Sequence, residues 1–283
     1  MKVGIVGLGL MGGSFGRALI KQGVHTVYGY DVSDDTMFKA EMIKAFHSVL
    51  TIENASEIDL LVVATRPEFF SSVCDKFLPY LKDGAIVTDF CGTKRDIVYQ
   101  MEKFREKFPL INFVGGHPMA GREFSGIEHS KVNLFDRASM IIVPVHTDIF
   151  VLSSLKELYL SLGFSEVVIT DAENHDRMIA FTSQLCHIVS NAFIKNKTAE
   201  NHFGYSAGSY KDLTRVARLD SDMWSGLMTI NKDKLLPELE ELIDNLQQYR
   251  LALNSGDKDK LKQILEEGNS RKISIDIKNS KKD

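Results

Sequence analysis

A glycine-rich stretch near the amino terminus constrains this chain most. An apolar, β-branched run from Val3 to Val6 leads into Gly7-Leu8-Gly9-Leu10-Met11-Gly12, and a segment with helical periodicity follows as far as Gly23. The first glycine allows a tight turn out of a strand, the second lets a pyrophosphate approach the backbone, and the third lets a helix pack closely. The free amides at the start of that helix favour phosphate. We therefore predict that Gly7, Gly9, Leu10, Met11 and Gly12 bind a dinucleotide cofactor.

The residue after the second apolar run indicates which dinucleotide is bound. This run extends from Thr26 to Tyr30 and is followed by Asp31, at the expected distance of about 20 residues from the glycines. A carboxylate there accepts hydrogen bonds from the adenosine ribose, and its charge repels a 2′-phosphate. The pattern therefore favours NAD over NADP. A glycine-rich turn of some other α/β protein is the alternative interpretation, whereas the interrupting glycines argue against a signal peptide.

The composition excludes several classes of protein. The 283 residues are 44% hydrophobic and 25% charged, which is typical of a globular chain with one large or two medium domains. The net charge of −4 does not favour a nucleic-acid partner. No apolar run approaches the length of about 20 residues that a membrane span requires. Cys74, Cys91 and Cys186 are widely spaced and predict reduced thiols in a cytoplasmic protein, rather than disulfides or a metal site.

Hydrophobic patterns divide the chain near Asp171. Before that point apolar strand patterns alternate with helical patterns, which predicts an α/β fold with a doubly wound parallel sheet of the Rossmann type over residues 1–170. The further strand patterns are Asp59–Ala64, Ala85–Thr88, Ile111–Val114, Met140–Val145 and Glu166–Thr170.

After Asp171 the strand patterns cease and long helical patterns predict an all-helical domain over residues 171–283. The helical patterns cover about residues 171–197, 205–219, 221–253 and 258–267. The first of these helices has more apolar positions than a surface helix needs. We expect it to be buried, against another subunit. The lysine-rich tail from Arg271 is expected to be disordered.

Three polar clusters follow predicted strands, where open α/β sheets bind their ligands. Thr65 and Arg66 follow one strand and are candidates for contact with the cofactor, and Thr93 follows the next. The third cluster is His117, which lies between glycines and beside a rigid proline. A histidine in such a place can take a proton at neutral pH. The alternative is a loop histidine with ordinary structural hydrogen bonds.

The helical half supplies further candidates for substrate binding. Ser183 and His187 are four positions apart and so share one helical face. Lys211, Arg215 and Arg218 form one basic stripe on a predicted helix. A guanidinium binds a carboxylate through two parallel hydrogen bonds. A solvated basic face is the alternative, and we prefer it for Lys211.

These residues together resemble the prephenate/arogenate dehydrogenase family of tyrosine biosynthesis. The resemblance covers nearly the whole chain, and its most specific part is Gly115-Gly116-His117-Pro118-Met119-Ala120-Gly121. The other matching parts are the glycine stretch with Asp31, Asp89 to Lys94, Asn174-His175-Asp176, Ser183 to His187, and Lys211 to Trp224.

The resemblance implies NAD-dependent oxidative decarboxylation of prephenate to 4-hydroxyphenylpyruvate, with hydride transfer from C4 and loss of CO2. It implies that His117 deprotonates the C4 hydroxyl and that Thr93 lies near this hydroxyl and the nicotinamide. Arg215 would bind a substrate carboxylate, while His187 and Ser183 would line the pocket. The helical domain would form a homodimer. If tyrosine is a feedback inhibitor, we expect it to act at the active site or the dimer interface.

One departure from the family and three alternatives remain at this point. Gln184 and Cys186 stand where the family usually has a histidine and a proline, so no role of that histidine carries over. An arogenate dehydrogenase would have almost the same sequence features. A β-hydroxyacid dehydrogenase would lack a use for the Gly-Gly-His-Pro run. A non-catalytic NAD-binding regulator would have no need for His117, Thr93 and Arg215 together.

Overall fold

The computed structural model describes residues 1–121 and 124–279, with the side chains of the second range described as far as Lys278. Eight strands lie in these residues. They are β1 (Lys2–Val6), β2 (Thr26–Tyr30), β3 (Ser48–Val49), β4 (Leu60–Val63), β5 (Ile86–Asp89), β6 (Asn112–Pro118), β7 (Ser139–Val145) and β8 (Glu166–Ile169).

The helices of the first 170 residues are α1 (Leu10–Gln22), α2 (Asp34–Met42), α3 (Phe70–Phe77), α4 (Arg95–Lys107) and α5 (Ile149–Ser161). Those that follow are α6 (Ala172–Ile179), α7 (Cys186–Ile194), α8 (Gly208–Thr214), α9 (Ser221–Ile230), α10 (Lys232–Ser255) and α11 (Lys258–Asn279). A π-helical segment, Ala180–Leu185, joins α6 to α7.

The sheet has the strand order β3-β2-β1-β4-β5-β6-β7-β8. Neighbouring strands are parallel except for β6 and β7, which are antiparallel. This confirms the predicted doubly wound sheet but corrects its expected all-parallel pairing. A parallel crossover needs a long connection, usually a helix, whereas the described residues between β6 and β7 contain only the 3-10 turn Ile127–His129. The chain therefore reverses direction there.

Each face of the sheet has its own hydrophobic core. In β4, Leu60 and Val62 point into the core beneath α1 and α5, while Leu61 and Val63 point into the core beneath α3 and α4. This alternation explains why the strand is apolar throughout, as expected for a strand covered on both faces.

The helix that follows the glycine-rich stretch packs against backbone. A Cβ atom on Gly12 would lie 1.9 Å from the carbonyl oxygen of Gly7, and one on Gly16 would lie 2.1 Å from that of Ala45. Glycine is required at both positions because the opposing atoms are main-chain atoms. The expected role of the third glycine in close helix packing is thus observed at Gly12.

The carboxyl-terminal helices differ from expectation in their boundaries. The predicted helix over residues 221–253 is two helices, α9 and α10, separated at Asn231. The predicted disorder after Arg271 is wrong as far as Asn279, since α11 continues to that residue. The final four positions lie outside the described residues. No helix in the described part of the chain is long and apolar enough to cross a membrane.

The chain forms two compact units, residues 1–231 and 232–283. The predicted domain boundary near residue 171 stays a prediction. The predicted burial of the first carboxyl-terminal helix holds in part. Ile179 and Leu185 are buried within the chain, whereas Met178, Phe181 and Phe193 are exposed.

The packing of α1 can be tested with Gly16→Ala. The added methyl group meets a main-chain carbonyl, so the substitution should lower the free energy of unfolding by about 2 kcal/mol or more. Gly226→Ala on α9 is the matched control, because a Cβ there meets nothing within 4 Å and alanine should stabilise the helix by about 0.5–1 kcal/mol. Urea titrations at one protein concentration provide the comparison. Equal stability of the two variants would contradict this packing.

Candidate active site

The glycine-rich stretch forms an open cradle at only one of its three glycines. Gly7 has a φ of 92°, and a Cβ on it would lie 2.7 Å from the Ala64 carbonyl oxygen. Gly12 is closed off by Gly7 itself. A Cβ on Gly9, by contrast, would meet nothing within 4 Å. Gly9 precedes the first turn of α1, whose amides face outward at the helix start. The space beside Gly9 thus fits a pyrophosphate, with Leu10 and Met11 supplying amides.

Asp31 fixes the shape of this cradle. Its Oδ2 accepts a hydrogen bond from the Leu8 amide at 2.8 Å, and its Oδ1 accepts one from the Ser33 amide at 3.0 Å. The carboxylate therefore joins the end of β2 to the glycine-rich stretch. Each oxygen can accept more than one hydrogen bond, so the partly exposed side chain still has capacity for the ribose hydroxyls. The predicted ribose contact stays a prediction, and it is compatible with these bonds.

Thr65 and Arg66 follow β4, beside the glycine-rich stretch. A Cβ on Gly7 would lie 3.0 Å from Thr65 Cγ2, so Thr65 adjoins the cradle. Arg66 is exposed and directly precedes the 3-10 turn that begins at Pro67. Their predicted contact with the cofactor remains a prediction.

An ion pair is buried at the carboxyl end of β5. Lys94 Nζ donates to Asp89 Oδ2 at 2.5 Å, and both side chains are fully buried. Asp89 also accepts hydrogen bonds from the amides of Cys91 at 2.7 Å and Gly116 at 3.0 Å. The carboxylate thus joins β5, the loop after it and β6. This pair was not predicted from the sequence, although an acidic residue that ends an apolar strand, with a lysine five positions later, is a usable signal.

Thr93 lies beside this ion pair. Its side chain is buried, and its carbonyl oxygen accepts a hydrogen bond from Lys94 Nζ at 3.3 Å. The structure therefore places Thr93 two residues before α4, next to this ion pair, and its catalytic role stays a prediction.

His117 lies near the end of β6 and contacts the first turns of α6. Its Nδ1 is 2.9 Å from His175 Nε2, and His175 Nδ1 is 2.7 Å from Asp176 Oδ1. His117 is partly exposed, whereas His175 and Asp176 are buried. His117 is a residue that the sequence motifs indicate, whereas its link to Asp176 was not predicted. The adjacent Asn174-His175-Asp176 triplet was the available signal.

The surroundings of His117 favour the neutral imidazole. Burial holds its pKa well below the ordinary value, and the electrostatic interactions with His175 and Lys94 act in the same direction, while Asp176 opposes them. Burial likewise lowers the pKa of His175, against the opposing hydrogen bond to Asp176. A neutral imidazole is the form that can accept a proton.

A second cluster of candidate residues surrounds His187. Its Nδ1 is 3.0 Å from the Val216 carbonyl oxygen, and its ring centroid is 3.8 Å from that of Trp224. Burial lowers the pKa of His187; the Val216 carbonyl opposes this shift and the charge of Arg215 adds to it. Arg215 and His187 are therefore neighbours, as a shared pocket requires. Ser183 is partly exposed on the π-helical segment.

Gln184 connects the helices that carry these residues. Its Oε1 accepts a hydrogen bond from Asn231 Nδ2 at 2.9 Å, and its Nε2 donates to the Leu227 carbonyl at 3.3 Å. Asn231 Nδ2 also donates to the Asp176 carbonyl at 2.8 Å. Gln184, which departs from the family pattern, is buried. Its hydrogen bonds help to hold the end of α9 against α6. Cys186, the other departure, is exposed.

The predicted basic stripe of Lys211, Arg215 and Arg218 is wrong. The α8 helix ends at Thr214, and Arg218 has an extended backbone that follows a 3-10 turn. Its guanidinium lies over the Phe124 ring, with the guanidinium carbon 5.0 Å from the ring centroid. A cavity of about 330 Å³ is found there, lined by Phe124, Ser125, His129, Arg218, Leu219 and Asp220.

The fold and these sites define a class of protein. A glycine cradle at the start of α1, a carboxylate directly after β2 and a neutral histidine near the end of β6 are features of a dinucleotide-dependent dehydrogenase. The helices after β8 add a second group of polar side chains around His187.

Comparison with known families gives the particular family. The model described as "Prephenate dehydrogenase, nucleotide-binding domain" matches residues 15–168, and the one described as "Prephenate dehydrogenase, dimerization domain" matches residues 171–267. The chain belongs to the prephenate dehydrogenase family, as its sequence motifs predict.

Individual relatives agree with this assignment. A cyclohexadienyl dehydrogenase of Zymomonas mobilis is 28% identical, with 96% of this chain and 95% of the relative covered. The structure of prephenate dehydrogenase from A. aeolicus with hydroxyphenyl propionate and NAD+ has a TM-score of 0.83 at 29% identity, covering 97% of this chain and 98% of that one. Synechocystis arogenate dehydrogenase has a TM-score of 0.79 at 25% identity, covering 97% and 100%.

The cofactor cradle can be tested with Gly9→Ala. The methyl group enters space that is open in the protein, so the free energy of unfolding without cofactor should not change. It should occupy the position of the pyrophosphate and weaken NAD binding by roughly 10- to 100-fold, the value of one or two hydrogen bonds to a charged group. Calorimetric titration with NAD measures this effect, with Gly226→Ala as the control. Unaltered NAD affinity would place the pyrophosphate elsewhere.

Proposed function

We propose that this chain catalyses the NAD-dependent oxidative decarboxylation of prephenate to 4-hydroxyphenylpyruvate. The observation that carries the proposal is His117, a partly exposed imidazole whose surroundings keep it neutral, located near the carboxyl end of a strand in a sheet with a dinucleotide cradle. Membership of the prephenate dehydrogenase family supports the choice of substrate.

His117 is the proposed general base. Its Nδ1 is engaged with His175, which leaves Nε2 to accept the proton of the substrate's C4 hydroxyl. Removing this proton raises the electron density at C4, and this favours departure of hydride. The same nitrogen then returns the proton to the oxygen, which becomes the phenol of the product. The histidine thus ends the cycle in its starting form.

The glycine cradle, with Asp31 at its edge, would hold NAD. NAD bound there would supply the acceptor for the hydride that leaves C4. Loss of the ring carboxylate as CO2 makes the product ring aromatic, and the overall reaction is then effectively irreversible. Thr65 and Arg66 are proposed to contact the cofactor from the end of β4.

The cluster around His187 is proposed to bind the rest of the substrate. Prephenate is a dicarboxylate, and Arg215 offers the fork of donors that a carboxylate accepts. His187 and Ser183 would line the same pocket, and the buried Thr93 would support the loop that carries Lys94 into the site.

Arogenate is the second candidate substrate. It differs from prephenate by an amine in place of the side-chain keto group. Two of the relatives described above are named cyclohexadienyl dehydrogenase and arogenate dehydrogenase. These names support arogenate as a candidate substrate. The proposed chemistry at His117 is the same for both acids.

We also propose that the chain forms a homodimer through its helical part. The match to a dimerization domain over residues 171–267 supports this proposal. Large exposed apolar side chains also support it, since extended apolar surface marks association sites. On α10 and α11 these are Leu236, Ile243, Leu246, Leu251, Leu253, Leu265, Ile273, Ile275 and Ile277. Inhibition by tyrosine and a cytoplasmic location stay predictions from the sequence.

The activity can be tested directly. Purified protein mixed with prephenate and NAD should form NADH, followed by its absorbance, together with stoichiometric CO2. Parallel reactions contain arogenate, or NADP in place of NAD. NADH formation with arogenate alone would replace the proposed substrate, and tight NAD binding without turnover of either acid would contradict the enzymatic function.

The role of His117 predicts the effect of His117→Asn. Loss of a general base should lower kcat by about 100- to 10,000-fold, while NAD affinity should stay close to that of the wild type. His25→Asn is the matched control, because His25 precedes β2, which is separated from β6 by three strands of the sheet. Steady-state kinetics and NAD titration give the two quantities. A kcat within a few-fold of the wild type would exclude His117 as the base.

A further inference from the structure

Three side chains form a hydrogen-bonded chain that runs inward from the partly exposed His117. The first link joins His117 Nδ1 to His175 Nε2 at 2.9 Å, and the second joins His175 Nδ1 to Asp176 Oδ1 at 2.7 Å. In the described part of the protein, no hydrogen bond engages His117 Nε2. The nitrogen that faces away from the chain is therefore the one available to a ligand.

The inner end of the chain is a fixed, ionised carboxylate. Asp176 Oδ1 also accepts the Lys94 amide at 2.7 Å, and Oδ2 accepts the Arg95 amide at 3.0 Å and Arg95 Nε at 3.1 Å. Burial opposes ionisation, but the hydrogen bonds from His175 and from the Arg95 and Lys94 amides outweigh it and lower the pKa of the carboxyl. Asp176 is thus a permanent acceptor held by the first residues of α4.

An ionised carboxylate at one end determines where every proton of the chain lies. Asp176 carries no proton, so the hydrogen of its bond with His175 is on His175 Nδ1. A neutral imidazole has a single N–H, so His175 Nε2 is an acceptor. His117 must then donate from Nδ1, and its own single proton is accounted for. The lone pair of His117 consequently lies on Nε2.

We propose that His175 and Asp176 are positioning residues that hold His117 in the tautomer with its proton on Nδ1 and its lone pair on Nε2. The proposal rests on the function proposed above, in which that lone pair takes the C4 hydroxyl proton. The chain also supports the protonated state that follows, because a charged donor strengthens its hydrogen bond to a neutral acceptor. Asp176 provides the opposite charge two links away.

A purely structural role for His175 makes a different prediction. Its ring is buried between β6 and the start of α4, and a side chain that only fills this space would contribute to stability without affecting the proton position on its neighbour. Two measurements distinguish these roles. One is the tautomer of His117, and the other is whether a substitution of His175 changes kcat or KM.

The test compares two substitutions of His175 in the full-length protein. His175→Phe fills the space but removes both hydrogen bonds. His175→Gln retains an amide oxygen that can accept from His117 Nδ1 and an amide nitrogen that can donate to Asp176. His25→Phe is the control for loss of a histidine remote from the site.

The first measurement is the tautomer, read from the ring-nitrogen chemical shifts and couplings of protein with ¹⁵N-labelled histidine. His117→Asn identifies the signals of His117. The wild type and His175→Gln should show the proton on Nδ1, whereas His175→Phe should lose this preference. A wild-type protein with the His117 proton on Nε2 would overturn the proposal, and this reading does not depend on the His175 variants being folded.

The second measurement is turnover of whichever cyclohexadienyl acid the wild type oxidises. His175→Phe should lower kcat by roughly 10- to 100-fold with KM within about threefold, a part of the contribution of a general base. His175→Gln should recover most of the loss. A kcat unchanged in His175→Phe would also overturn the proposal. If the wild type oxidises neither acid, the proposed function is wrong. The tautomer measurement still decides whether His175 and Asp176 determine which nitrogen of His117 carries the proton.

Discussion

The structure around the active site depends on one buried charge pair. Asp89 and Lys94 are fully removed from solvent, and taking two charges out of water is favourable only when their geometry and additional hydrogen bonds compensate. Here the Cys91 and Gly116 amides complete the coordination of the carboxylate. The pair therefore fixes the end of β5 against β6, the strand that carries His117. Its ammonium also contributes to the low pKa of His117 and His175.

The same region connects the sheet with the first helices that follow β8. The amides of Lys94 and Arg95 bind Asp176, which belongs to α6. Arg95 also donates to Asn231 at 3.0 Å, and Asn231 binds Gln184. A continuous set of polar contacts thus connects the sheet to the helices that carry the candidate substrate-binding residues. Because the side chains of Asp176, Gln184 and Asn231 are buried and hydrogen-bonded, this set of contacts can be rigid without leaving them unsatisfied.

Local features of this fold were predictable from the sequence, whereas non-local ones were not. The glycine cradle, Asp31 and the apolar strands have signatures within a few residues. The short strand β3 has only two residues and no detectable period. The antiparallel pairing of β7 depends on how the chain after Pro118 returns to the sheet, and a strand's own residues do not state its direction.

The candidate site also combines features that have a local sequence signature with features that do not. His117 was predictable because glycines and a proline surround it in sequence. Its connection to Asp176 runs through His175, which is 58 positions away in sequence, and no local sequence pattern predicts such a contact. The predicted stripe of Lys211, Arg215 and Arg218 is wrong because the prediction assumed that one helix continues past Thr214.

The π-helical segment has a further consequence for the positions of His175 and His187, which are twelve residues apart on the helices that it joins. On a regular α-helix that separation would rotate one away from the other by about 120°. A π turn accommodates one extra residue, which reduces the angle to about 20°. The π-helical segment Ala180–Leu185 therefore places both histidines on nearly the same face of the helix. A regular α-helix would place them on different faces.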